Sequence, residues 1–413
     1  MKQHPFIIFH ATAQRSAKKY IRVYIVAPLR RCVKLILLFL LFHFNAKSQH
    51  ISEAMKFVSP VEAKDSNQLF FSYSNLAYFK NYEYFNDIQA GYTLFGVWQH
   101  PRLTYFPNKW MKIEAGALLQ MDFGDQDFSR VFPTFSLQLQ SKDVRFLFGA
   151  LEGNQSHQLI EPLMQYDQVI ERPLEEGVQL KISKKKFYAD LWLDWQKRQS
   201  PGNTDNAEQL SPGAFLSYTF TDLAKPLQVK LPLQAILFHH GGQLDTTNIP
   251  TYTISNYAAG LWMEWNNPDK QKWMQQLRAD AYYVGYKQSK DDRNTAPFTN
   301  GDGFLANLFV KSKWNVSFLA TYWNGKNYIA PQGGKLYQSV SSRTDRPGHT
   351  EPERQLLFLN LLYEKELLPG LFVDCRFTPD FDLKNNLFEY AYQVFISYRH
   401  NFRLATIGKK KTP

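Results

Sequence analysis

Cysteine is nearly absent: the 413 residues hold two, Cys32 and Cys375. With Cys32 in a segment expected to be cut off, no intramolecular disulfide and no cysteine-based metal site remain. Long apolar runs are missing as well. The longest, residues 33–44, is interrupted by Lys34 and falls short of the roughly 20 residues that a membrane-crossing helix needs, so a helical membrane bundle is excluded. Acidic residues are missing from residues 1–48, which carry nine Lys and Arg, while the remainder holds 39 basic against 37 acidic residues. The net charge of +11 therefore belongs to the leader. No basic face remains for phosphates, which excludes nucleic acid as a partner.

Aromatic residues, by contrast, are plentiful. With 33 Phe, 23 Tyr and 9 Trp, the chain has far more buriable surface than disordered sequences carry. Arg30, Arg31 and Lys34 lead into the apolar stretch from Leu35 to Phe44, and Ala46 and Ser48 follow. This pattern predicts a secretory signal peptide over residues 1–48 and a mature chain that begins at Gln49. Cys32 precedes the apolar stretch, so a lipoprotein is not expected. Residues 49–67 read as a short periplasmic segment.

From residue 68 onward the chain falls into segments of about ten residues with period-two alternation. Met111, Ile113, Ala115, Ala117, Leu119, Met121 and Phe123 share one face, with Lys112, Glu114, Gln120 and Asp122 on the other. Phe187, Ala189, Leu191, Leu193 and Trp195 likewise oppose Tyr188, Asp190, Asp194 and Gln196, and Phe388 to Tyr398 repeats the pattern. Sixteen strands are predicted, the first at 69–80 and the last at 386–402. Pro232 marks a bulge or irregularity in its strand. Connections alternate between short (such as 107–109, 141–143 and 184–186) and long (152–175, 198–209, 241–252, 289–301 and 325–352). A soluble sandwich has no reason to keep its long loops on one edge, whereas a barrel with tight periplasmic turns and extended outer loops does. Trp98, Trp110, Trp195, Trp262, Trp265, Trp273, Trp314 and Tyr398 lie near strand ends and are expected in interface girdles.

In these features residues 68–402 resemble a Gram-negative outer-membrane β-barrel of the porin type, in architecture and pattern, with no signature motif. The resemblance implies an all-β fold: an antiparallel transmembrane barrel of about 16 strands (14–18), with outer-membrane lipid and the barrel-assembly machinery as partners. One departure is that Phe402 is followed by a basic tail, residues 403–413, where such barrels often end on an aromatic residue.

The alternation turns Lys112, Arg130, Arg145, Lys181, Lys230, Arg278, Lys311, Arg376 and Arg399 inward. Glu114, Asp122, Asp190, Asp194, Glu264, Asp280, Glu364, Asp374 and Glu389 turn the same way. Nine charges of each sign argue against strong ion selectivity; the alternative is that they pair across neighbouring strands. Tyr188, Trp192, Phe215, Tyr282 and Trp323 also face inward, either as a sugar-stacking path or as packing beneath an infolded loop. Loop 152–175, with His157, Glu161, Asp167, Arg172 and Glu176, is the candidate constriction. Ser156 and His157 invite comparison with a hydrolase pair, and His157, Glu161, His239, His240 and Asp245 with a metal site. Solvated loop residues are the preferred account of both. The expectation is a non-enzymatic channel for small polar solutes, saccharides among the candidates, with no catalytic residue, metal or cofactor. The alternatives are a barrel enzyme with a rim site and a closed barrel acting in adhesion or assembly.

Overall fold

The computed structural model describes residues 52, 55, 57, 61–200, 207–242, 250–289 and 296–408. The expected leader, Asp245 and the tail beyond residue 408 lie outside the described residues. Sixteen strands follow in order: β1 Gln68–Glu83, β2 Thr93–Asn108, β3 Met111–Asp122, β4 Arg130–Gln140, β5 Val144–Ala150, β6 Glu176–Ser183, β7 Phe187–Lys197, β8 Gln209–Thr219, β9 Leu227–His240, β10 Tyr252–Asn266, β11 Met274–Gln288, β12 Asn300–Ser312, β13 Val316–Lys326, β14 Glu353–Leu368, β15 Leu371–Asp382 and β16 Leu387–Thr406. Every neighbour pairs antiparallel and β1 pairs with β16, so the sheet closes on itself.

Two details of the strand reading change. β16 runs four residues past Phe402, because β1 begins at Gln68 and offers Thr406 a partner there; Phe402 sits opposite Phe71 within the ladder. At Pro232, which lacks an N–H, two pairs drop out of the β9–β10 ladder between Leu233↔Ala259 and Lys230↔Trp262 with the register unchanged, so the expected irregularity is a break in pairing and not a bulge.

The outer surface is apolar. Phe187, Leu191 and Trp195 on β7 and Phe388, Tyr392, Val394 and Ile396 on β16 are exposed, while Asp190, Trp192, Asp194, Glu389, Gln393 and Ser397 are buried inside. Exposed rings of this number suit a hydrocarbon surrounding, not water. Trp110, Trp273 and Trp314 are exposed beside the short turns and Trp195 toward the opposite end. Trp98 and Trp262 correct the girdle expectation. Both are buried inside the barrel, where the Trp98 indole N–H donates to the Val169 carbonyl (3.0 Å) and Lys230 lies 4.2 Å from the Trp262 ring.

An infolded loop occupies much of the interior. The loop of residues 151–175 folds inward, its Ile160 N–H donating to Gln234 on β9 (2.8 Å) and its Asp167 pairing with Lys80 on β1 (2.7 Å). β1 and β9 are eight places apart in a ring of sixteen, so the loop crosses the lumen from wall to wall. Leu159, Ile160, Leu163 and Met164 pack there against Trp192, Phe215, Tyr282 and Trp323. Residues 327–352 join them: the Tyr328 hydroxyl donates to the Pro162 carbonyl (2.9 Å) and Gln165 N–H to the Gln332 carbonyl (2.7 Å). The inward rings thus pack beneath an infolded loop.

Candidate functional site

His157 is fully buried, which overturns the reading of it as a solvated loop residue. Its Nδ1 lies 3.0 Å from Asp190 on β7 and its Nε2 2.9 Å from Glu175, while Trp192 stacks on the ring with centroids 3.6 Å apart. Burial disfavours a charged ring, but the carboxylates of Glu175 and Asp190 outweigh it and push His157 from its ordinary value of 6.5 up to about 9. At neutral pH it is an imidazolium with both N–H groups committed, so it has no lone pair with which to accept a proton. The neighbouring Ser156 hydroxyl is buried and makes no hydrogen bond to it. The pair has the form of a lock on the loop and lacks the geometry of a nucleophile and its base.

Many of the other inward charges pair off. Glu152 takes Lys181 and Arg145 (2.8 Å from the latter), Lys181 lies 3.4 Å from Asp190, and Arg172 bonds Asp194 at 2.6 Å. Arg278 sits 3.6 Å from Asp280, Arg376 3.1 Å from Asp374, and Arg130 donates to the Glu171 carbonyl. The Tyr337 hydroxyl donates to Glu161 (3.2 Å), and Glu176 is exposed, its N–H donating to Asp194 (3.0 Å). Among the described residues the metal set does not assemble. His239 pairs with the Thr253 hydroxyl and His240 with the Pro250 carbonyl, at the outer end of β9, while His157 keeps its two carboxylates.

A second histidine, passed over in the sequence reading, faces open space. His100 on β2 lines a cavity of about 100 Å³ with Arg102, Lys112, Glu114, Thr134 and Ser136, and with apolar Trp98, Leu118, Leu147 and Leu174. That is room for several water molecules beside an apolar wall. An arginine has no acceptor, so Arg102 donates to His100 Nδ1 (2.6 Å); the ring proton is then on Nε2, which donates to the Thr134 hydroxyl (2.9 Å). Glu114 holds Lys112 at 2.9 Å and lies 3.6 Å from Arg102 Nε, a buried donor without a hydrogen-bond partner among the described residues. A hydroxyl, an imidazole and an unused guanidinium N–H beside an apolar wall are the groups that an ester with a hydrocarbon tail requires. The signal was present in the sequence: Trp98, His100, Arg102 and Thr104 alternate along β2 on its inward face.

No curated protein matches this chain. Among solved structures, a loop-deletion mutant of OmpT from Vibrio cholerae covers 80% of this chain and 99% of its own at 13% identity and TM-score 0.47. OprD from Pseudomonas aeruginosa covers 86% and 97% at 10% identity and TM-score 0.44, and OccAB3 from Acinetobacter baumannii 81% and 99% at 9% identity and TM-score 0.44. Closure and the apolar exterior make this chain a porin-type outer-membrane barrel. The model of the Lipid A 3'-O-deacylase-type family matches residues 61–407. It is a family of enzymes, which corrects the expectation of a barrel without enzymatic activity. Across nearly the whole barrel, then, the chain belongs to the Lipid A 3'-O-deacylase-type family.

Proposed function

We propose that this barrel hydrolyses an acyl ester of lipid A in the outer membrane, and that the reaction takes place in the cavity lined by His100, Arg102, Glu114 and Thr134. The carrying observation is the His100–Thr134 contact beside an unused Arg102 donor, with an apolar wall opposite; the family supplies the substrate class. A water molecule held by Thr134 adds through its oxygen to the ester carbonyl carbon. Its proton goes to His100 Nε2, Arg102 stabilises the oxyanion, and the bond to the sugar oxygen breaks. That oxygen takes the proton back, leaving a fatty acid and a free hydroxyl. For Nε2 to accept, its proton must first pass through solvent to Nδ1, which requires Arg102 to leave Nδ1, and Glu114 is the carboxylate placed to receive the guanidinium. The solute-channel reading has less support, since the 151–175 loop occupies the lumen.

The test is fatty-acid release from lipid A by refolded protein, followed by mass spectrometry. His100→Ala should lower the rate by about 100- to 10,000-fold, the usual contribution of a positioned base, and Ser156→Ala should leave it unchanged. Full activity in His100→Ala would move the chemistry elsewhere.

A further inference from the structure

The wall of the barrel is incomplete beside this cavity. β4 pairs with β3 from Arg130 to Leu139, yet with β5 only over five pairs, from Ser136↔Gly149 to Gln140↔Arg145. Among the described residues, no strand pairs with residues 130–135 of β4 on the β5 side. Gly149 sets the point of departure. Its φ of 94° suits glycine, and a Cβ there would lie 2.2 Å from the Phe135 carbonyl oxygen, so β5 can touch β4 at this point and then leave it. β5 has seven residues and β6 eight, fewer than the 9–11 that a strand needs to cross the hydrocarbon layer. The gap lies at the long-loop end, bounded below by the Ser136↔Gly149 pair and above by the contact from Arg130 to the Glu171 carbonyl.

The surroundings of the gap are apolar on both sides of the wall. Val131 and Phe135 of β4 and Phe148 of β5 are exposed on the outside, and Phe132, on the inward phase opposite Leu118, is exposed as well. Directly behind lies the His100 cavity, which takes Thr134 and Phe135 from one edge of the gap and Ala150, Leu151 and Leu174 from the other. Because long loops face outward in such barrels, the gap opens at the level of the outer leaflet.

We propose that this gap is a lateral opening through which one acyl chain of an outer-leaflet lipid passes from the bilayer into the cavity. The occupant follows from the position: at this depth the gap faces hydrocarbon, and only an apolar chain crosses it without losing hydration. What happens to the chain inside, ester hydrolysis, rests on the function proposed above; its admission does not.

The test uses the full barrel in phosphatidylcholine vesicles whose acyl chains carry a photoactivatable diazirine, with adducts mapped by mass spectrometry. Outward residues such as Leu191 and Leu361 should be labelled in any barrel. The expected result is additional labelling of Leu118, Leu147 or Leu174, and its loss in Leu174→Trp while the outward adducts persist. Adducts confined to outward residues would overturn the opening. Inward adducts without fatty-acid release from lipid A would keep the opening and remove the reaction; release without inward adducts would do the reverse.

Discussion

His157 shows how a single side chain fixes a loop. Held between Glu175 and Asp190 and raised to about 9, it contributes stability that is complete below pH 6.5 and is lost as pH rises through about 9. Urea unfolding in detergent should therefore show a loss of stability across that window that His157→Ala lacks. The substitution itself should cost about 3–5 kcal/mol, because it leaves two buried carboxylates facing each other. Leu191→Arg places a charge against lipid and should cost about 2–4 kcal/mol near the bilayer midplane. Asp190→Arg, which a water-filled lumen would tolerate, should now be at least as damaging, since Asp190 is buried against His157 and Lys181. An Asp190→Arg barrel as stable as wild type would mean that the loop does not pack there.

At the scale of elements, the strands were legible and the loops were not. Period-two alternation is a local signal, and residues such as Leu191 and Asp190 declare opposite faces whatever lies beyond them. The infolding of residues 151–175 depends on contacts far away in sequence, Asp167 with Lys80 and Pro162 with Tyr328, which no local pattern encodes. Leu159, Ile160, Leu163 and Met164 were the available hint, an apolar cluster in a loop otherwise suited to water. The charge balance of the inward face was readable, but the individual pairs required the register. Deleting residues 154–170 removes the element that spans the lumen, so a planar-bilayer recording should show larger conductance than for the intact barrel. Equal conductance would place the obstruction in residues 327–352.

For the whole molecule, closure with the short turns at one end and the long loops at the other fixes an orientation in the outer membrane. In a Cys375→Ser background, a cysteine at Asp345, in the longest connection, should react with an impermeant reagent on intact cells, and one at Lys185, in a short turn, should not. The fold is shared by barrels with many tasks, so its recognition carried the channel expectation with it and left the enzyme family unread. His100 was missed because a lone histidine in a strand resembles any other inward polar residue until Thr134 and Arg102 are brought beside it. The proposed reaction has lipid A as its substrate. Its most direct test is the mass of lipid A extracted from cells that express the barrel, its His100→Ala variant, or neither. Loss of one ester-linked acyl chain is expected with the wild-type barrel alone, and identical lipid A in all three would contradict the proposed reaction.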